Sequence, residues 1–305
     1  MILPNDIKVI FFETFNGDRS VLEFEQWLYA NRQLEKRMHP DDYLELIGYG
    51  YKGDRAAYGL KELLRKHIRP GEFKLWKQLR QKHPNGYTPN SIKTPFDEQL
   101  QRIKDKLPIA KNADEGCDVF CADTHEYLLN VPATEEEVSA FEHKHAIQLP
   151  PCYRSFLLVV GNGGIGSRDS GAGPGYGLYP LGCDADKGDY ISHDCVLKPD
   201  MTINEWESLT VFVHNEENIS NEQYLREART LFGGILPLGT QGCTYIHALV
   251  LNGPHKGRVV NLDYNYLCLP CFSSTINFLD YYEGWLDAVI DGTLRHPNAP
   301  EYGYS

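Results

Sequence analysis

Apolar positions recur at helical spacing through the first eighty residues. Phe24, Trp27 and Leu28 fall at i, i+3 and i+4 behind Ser20-Val-Leu-Glu23, a pair placed to form a capping box. Tyr43, Leu44, Leu46 and Ile47 predict a second helix opening near Asp41 and Asp42, where acid suits the positive end of the helix dipole. Leu60, Leu63 and Leu64 predict a third, ended by Pro70-Gly71, and Phe73, Trp76 and Leu79 a fourth. Each stripe reads as core. From His83 to Pro95, three prolines and an Asn-Gly suit neither helix nor strand, so a linker is expected. A short helix should follow around Phe96–Leu107, with a break near Pro108.

The pattern changes beyond Cys117. Thr134-Glu-Glu-Glu137 is a second capping box, with Val138, Phe141 and His145 down one face. Leu149-Pro150-Pro151 opens a helix carrying Tyr153, Phe156, Leu157 and Val160, and Gly161-Asn162-Gly163-Gly164 stops it. Gly171-Ala-Gly-Pro-Gly-Tyr-Gly177 reads as a flexible loop leading into a strand at Leu178-Tyr-Pro-Leu181. It matches neither Gly-x-Gly-x-x-Gly nor a Gly-Lys-Ser/Thr loop, which argues against phosphate binding. Leu209–Val213 is a possible strand, and Ser220-Asn-Glu-Gln223 caps a helix stopped at Gly233-Gly234. Ile235–Leu238 and Tyr245–Leu251 read as strands. The second is apolar on both faces, hence central, and 258–263 returns as its hairpin partner. A last helix carries Leu279, Tyr282, Leu286, Val289 and Ile290. The expected fold class is α+β: a mainly antiparallel sheet flanked by helices, preceded by an all-α domain. The expected domains are 1–82, a linker with a short helix over 83–115, and 116–305.

Charge sharpens that division. Residues 1–111 hold 20 Lys/Arg against 15 Asp/Glu, while 112–305 hold 10 against 27, so a net of +5 is followed by −17. Phosphate contacts need Lys and Arg, so the acidic part argues against nucleic acid as a partner. A basic protein would be attracted. No long apolar run and no secretory leader is evident, and a cytoplasmic protein with no membrane partner is expected.

All eight cysteines lie beyond residue 116, with Cys268-Leu-Pro-Cys271 in C-x-x-C spacing and Cys117/Cys121 one residue looser. Without a second tight pair, buried thiols are the simpler reading, and neither metal nor cofactor is expected. His143 and His145, two apart, make a poor ligand pair on a helix. Neither Gly-x-Ser-x-Gly nor His-Glu-x-x-His occurs, and no enzymatic activity is expected. Asp184, Asp186, Asp189, His193 and Asp194 cluster within eleven residues; a solvated acidic loop is the simpler reading, an acid/base or metal site the alternative.

The order of several short motifs resembles the SMI1/KNR4, or SUKH, superfamily over roughly 116–292. These are Leu149-Pro150-x-x-Tyr153-x-x-Phe156-Leu157, Asn162-Gly163-Gly164, Gly177-Leu178-Tyr179-Pro180-Leu181 and Ile235-Leu-Pro-Leu-Gly239. The 245–263 hairpin with Gly257-x-Val259-Val260, and Phe272-Ser273, complete the set. Gly239-Thr-Gln-Gly-Cys243-Thr244 departs from the pattern, where relatives often carry a richer glycine run with an acid. Glu23-Phe24-Glu25-x-Trp27-Leu28-Tyr29 with Tyr43-x-x-Leu46-Ile47 resembles a small helical module found beside such domains in bacterial proteins.

The resemblance implies a binder: a bacterial immunity protein that neutralises a cognate toxin, commonly a nuclease. An acidic inhibitor suits a nuclease's basic cleft and associates fast. The alternative it implies is a regulatory scaffold binding cellular proteins. It names neither the target nor an oligomeric state. On this reading the acidic candidates for partner binding are Asp184, Asp186, Asp189, Asp194, Glu205, Glu207, Glu216 and Glu217. Tyr176, Tyr179 and Trp206 are the candidate aromatic anchors, with core packing as their alternative role.

Overall fold

A computed structural model describes residues 5–53, 55–82, 92–164, 170–183, 190–213, 219–295 and 302. Its contacts divide into two units, 1–86 and 87–305.

The first unit is helical: α1 (Asn5–Asn16), α2 (Val21–Ala30), α3 (Pro40–Ile47), α4 (Ala56–Arg65) and α5 (Pro70–Lys82). The Ser20/Glu23 capping box forms, with the Glu23 N–H donating to Ser20 Oγ and Ser20 N–H to the Glu23 carboxylate. α4 stops at Arg65, short of Pro70, and Pro70 begins α5, where its missing N–H costs nothing. The periodicity does not single out α1, because Ile7, Val9, Ile10, Phe11 and Phe12 run nearly continuously and blur the stripe. Ile7, Phe11, Phe24, Leu28, Leu60 and Leu64 nonetheless form one buried cluster. Phe11 sets its ring edge to Phe24 and Trp27 at 5.7 and 6.3 Å.

The second unit opens with α6 (Asp97–Ala113), which is longer than the short helix expected in a linker and passes straight through Pro108. A proline there removes one backbone hydrogen bond, yet the helix continues because Leu100, Ile103 and Ala110 are fully buried in the unit's main core. Part of the segment read as a linker is therefore a core element. It lies against the last helix, α12 (Phe278–Ile290), through a charge cluster centred on the buried Glu283, whose cationic partners reach in from the surface. Arg102 Nε and Nη2 donate to Glu283 at 2.8 and 3.0 Å, Lys106 Nζ at 2.9 Å and Gln99 Nε2 at 3.1 Å. Burial alone would raise the Glu283 carboxyl. The donors outweigh it and hold the pKa down to about 2. Glu283→Ala should lower the second unit's stability by about 1–3 kcal/mol, read as a lower urea midpoint at pH 7. In wild type this contribution should be intact above about pH 4.5 and fade as pH falls toward 2, since the unfolded carboxyl protonates first.

Between these helices lie α7 (Ala122–His125), α8 (Glu135–Lys144), α9 (Pro151–Val159), α10 (Ile203–Thr210) and α11 (Asn221–Leu231). An antiparallel sheet follows: β1 (Ile235–Gly242), β2 (Tyr245–Val250), β3 (Val259–Asp263) and β4 (Cys271–Phe272), in that spatial order. β2 is internal, as its two apolar faces require. Leu249 and Val259 face the core of α9 and α12. Ile246, Ala248, Val250, Val260 and Leu262 face a second cluster that includes Trp206, Phe212, Leu231 and Phe232. The fold class is α+β, with helices on both faces of the sheet.

Two expected strands are absent. Residues 209–213 finish α10 and the turn after it, because Thr202 and Glu205 form an unanticipated capping box that starts a helix just upstream. Residues 178–181 form one isolated bridge, Gly171 to Leu178, plus a hydrogen bond from the Tyr179 N–H to the Leu238 carbonyl. Pro180 and the left-handed Gly182 prevent a longer ladder.

Candidate functional site

Among the described residues, the sequence-derived candidates do not converge on one place. Asp184, Asp186, Asp189, Glu216 and Glu217 lie outside the described residues. Glu205, Trp206 and Glu207 are consecutive on α10 and therefore point in different directions. Trp206 is buried at 4% exposure, with Nε1 donating to the Tyr266 carbonyl at 3.0 Å. It is a core residue that props the turn after β3, not an exposed anchor.

Glu205 is solvent-exposed, but its carboxylate is occupied. Lys198 Nζ donates at 2.6 Å, the Thr202 N–H at 2.8 Å and the Thr202 hydroxyl at 2.9 Å. Lys198 first, and then Thr202, hold its pKa at about 2. Glu207 and Asp194 are exposed and have no ion-pair partner among the described residues. On α10, Glu207 is flanked at i−4 and i+4 by Ile203 and Val211, which are 62% and 53% exposed. Tyr179 is half-buried and committed through its N–H to β1.

Tyr176 stands apart from these. Its N–H donates to the Thr240 carbonyl at 3.0 Å, which seats it on the end of β1. A Cβ on Gly242, which has φ +102°, would stand 3.1 Å from the Tyr176 Cε2, so glycine there lets the ring lie close over the β1–β2 turn. The edge of Phe120 meets it at 5.7 Å between centroids. Phe120 is 49% exposed and was not among the sequence candidates. A signal for it did exist: residues 112–143 contain nine Asp/Glu and no Lys or Arg, with Phe120 inside that run.

The segment that displays Phe120 is held firmly. Buried Asp114 accepts the Asp118 N–H at 2.8 Å, the Val119 N–H at 3.2 Å and the Tyr127 hydroxyl at 2.6 Å. Cys117, Cys121, Glu126 and Tyr127 all have left-handed backbones (φ between +50° and +57°), as do Cys243 (φ +48°) in the β1–β2 turn and Tyr266 (φ +62°) after β3. Such conformations are costly outside glycine and persist only where the surroundings enforce them.

No disulfide joins any two of the eight cysteines. Cys268 is exposed, with Sγ 3.8 Å from the Tyr245 hydroxyl, and Cys271 pairs in register with Asn261 on β3. Among the described residues, no three His, Cys, Asp or Glu side chains converge as a metal ion would require. No described helix is long and apolar enough to cross a membrane. A groove of about 700 Å3 beside the end of α8 is lined by Glu142, His143, Asn252 and Lys256, among others. Its groups of both signs offer an acidic or basic ligand little discrimination.

A family model described as SMI1 / KNR4 family (SUKH-1) matches residues 132–281. The chain therefore contains a SUKH-1 domain, reaching from just before α8 into α12. No curated protein and no solved structure matches the chain. Phe120 and the strained segment around it lie upstream of the matched residues.

Proposed function

We propose that this chain is a bacterial immunity protein that binds and neutralises a basic, nuclease-type toxin in the cytoplasm, acting by occupancy and without catalysis. SUKH domains are protein-interaction modules. The observation that carries the reading is the charge of this one: ten Lys/Arg against 27 Asp/Glu over 112–305. A nuclease cleft is positive because its substrate is polyanionic. An acidic surface of matching shape competes for it, and long-range attraction speeds the encounter.

The test is co-expression with a basic nuclease toxin domain, taken from beside this gene if one is encoded there. Restored growth, with a complex that co-elutes in size exclusion, is the expected result. A purified chain that leaves nuclease activity unchanged and forms no complex overturns it. Association with cellular proteins in place of any toxin would move the chain to the SMI1-type scaffold reading.

A further inference from the structure

We propose that Phe120, the ring of Tyr176 and the Gly242–Thr244 turn form the docking surface of this chain, and that its occupant is an arginine-bearing loop of a protein partner. The inference rests on the protein-binding reading above and assigns it a place and a chemistry.

Three observations meet there. The first is exposure against its surroundings. Val119 and Ala122 on either side of Phe120 are buried at 6% and 0%, so the segment is pinned down while one large ring stays half in water. Such a ring is an anchor whose ordering cost has already been met, because Asp114 and the Tyr176 contact hold it before a partner arrives. The second is the concentration of left-handed non-glycine residues. Of seven in the described chain, four lie within 117–127, and a fifth is Cys243 in the turn that Tyr176 covers. Strain gathered around one exposed ring points to display, since packing alone would not demand it.

The third observation is charge. Asp118 and Asp123 are exposed and have no ion-pair partner among the described residues. Arg295 reaches the far end of the segment, where its guanidinium donates to the Ala113 carbonyl. An exposed aromatic ring with exposed carboxylates two and three residues away along the chain fits arginine better than lysine. The planar guanidinium stacks on the ring while its N–H fork meets a carboxylate. A second exposed apolar-acidic face, Ile203–Glu207–Val211 along α10 and its C-cap, has one carboxylate and no exposed aromatic ring.

The experiment uses the full 15N-labelled chain and a capped hexapeptide, acetyl-Gly-Leu-Arg-Leu-Arg-Gly-amide, with lysine-for-arginine and glutamate-for-arginine versions as comparisons. The expected result is amide shifts concentrated on 117–127, 175–177 and 242–244, with arginine binding tighter than lysine and glutamate not at all. Phe120→Ala should weaken binding about tenfold, the loss of one anchor. Asp123→Lys, an exposed change that leaves the fold alone, should do the same.

Several results overturn the proposal: shifts centred on α10, no shifts at millimolar peptide, affinity unchanged by both variants, or a Phe120-dependent dimer in sedimentation, which would give the surface to a second copy. Toxin neutralisation separates the two ideas. If Phe120→Ala and Asp123→Lys still neutralise a toxin as wild type does, this surface is wrong and the function stands. If wild type binds no toxin while the peptide maps here, the function is wrong and the surface stands.

Discussion

Acidification from pH 7 to pH 4.5 should strip several kcal/mol from the second unit through two histidines, His125 and His247. Both are buried, and burial pushes each imidazole from its ordinary value near 6.5 down to about 4. His125 Nδ1 accepts the Tyr127 N–H at 3.0 Å, so a proton there would face a second donor. Its ring is also edge-on to Trp285 and Tyr127. His247 sits mid-sheet opposite Gly239 and Asn261, and neither ring nitrogen has a hydrogen-bond partner among the described residues.

Both side chains are neutral above pH 6.5, folded or unfolded, so the stability is then whole. As pH falls from 6.5 toward 4, only the unfolded chain takes up the protons, and stability declines by about 1.4 kcal/mol per pH unit for each histidine. The full loss is about 3 kcal/mol each and levels off below pH 4. Urea unfolding tracked by hydrogen exchange in β2 and β3 should show this slope. His247→Leu should remove about half of it. A variant with the wild-type pH dependence would mean that His247 is not buried and neutral in the folded chain.

The second large effect concerns one methyl group. Gly164→Ala should destabilise the second unit by at least about 3 kcal/mol, enough to lose soluble protein at 37 °C. A Cβ at Gly164 would stand 1.5 Å from the Ser170 carbonyl carbon and 1.9 Å from the Gly171 nitrogen. Those are backbone atoms, so no side chain can swing aside. The neighbourhood is a crossing of three segments. Asn130 gives its N–H to the Gly163 carbonyl and its Nδ2 to Gly164, and Asn162 Oδ1 accepts the Leu181 N–H at 2.7 Å. Gly163, with φ +57°, packs under the Tyr179–Pro180 peptide. Gly50, in the first unit, has open space where its Cβ would be, and Gly50→Ala should be near neutral. Thermal melts of the two variants side by side decide the matter, and equal midpoints would remove the steric account.

That crossing also explains why two short motifs carry so much of the family resemblance. Asn162-Gly163-Gly164 and Gly177-Leu178-Tyr179-Pro180-Leu181 look like two ordinary turn signals. They are two halves of one contact: Gly164 against Ser170 and Gly171, Gly163 against Tyr179 and Pro180, and Gly177 against Gly171. Reading Leu178–Leu181 as a strand after the glycine-rich loop is a local inference. What forms there is a bridge, because the same residues must also pack against Gly163.

The sequence alone determined what depends on near neighbours along the chain. The capping boxes at Ser20 and Thr134, the stripe of α9, the internal character of β2 and the α+β class follow from propensity, periodicity and the burial that two apolar faces demand. The tertiary structure alone decided what depends on groups far apart in sequence. Trp206, which the sequence left open between anchor and core, is core, because Tyr266, sixty residues away, offers its indole a carbonyl and a shelter. Pro108 looked like a stop and became mid-helix, because Leu100, Ile103 and Ala110 around it are buried in the core shared with α12. Phe120 carried no periodic signal. It became a candidate anchor only when the fold brought Tyr176 and the tip of the sheet against it, since exposure and pairing are properties of the folded surface and not of a residue or its sequence neighbours.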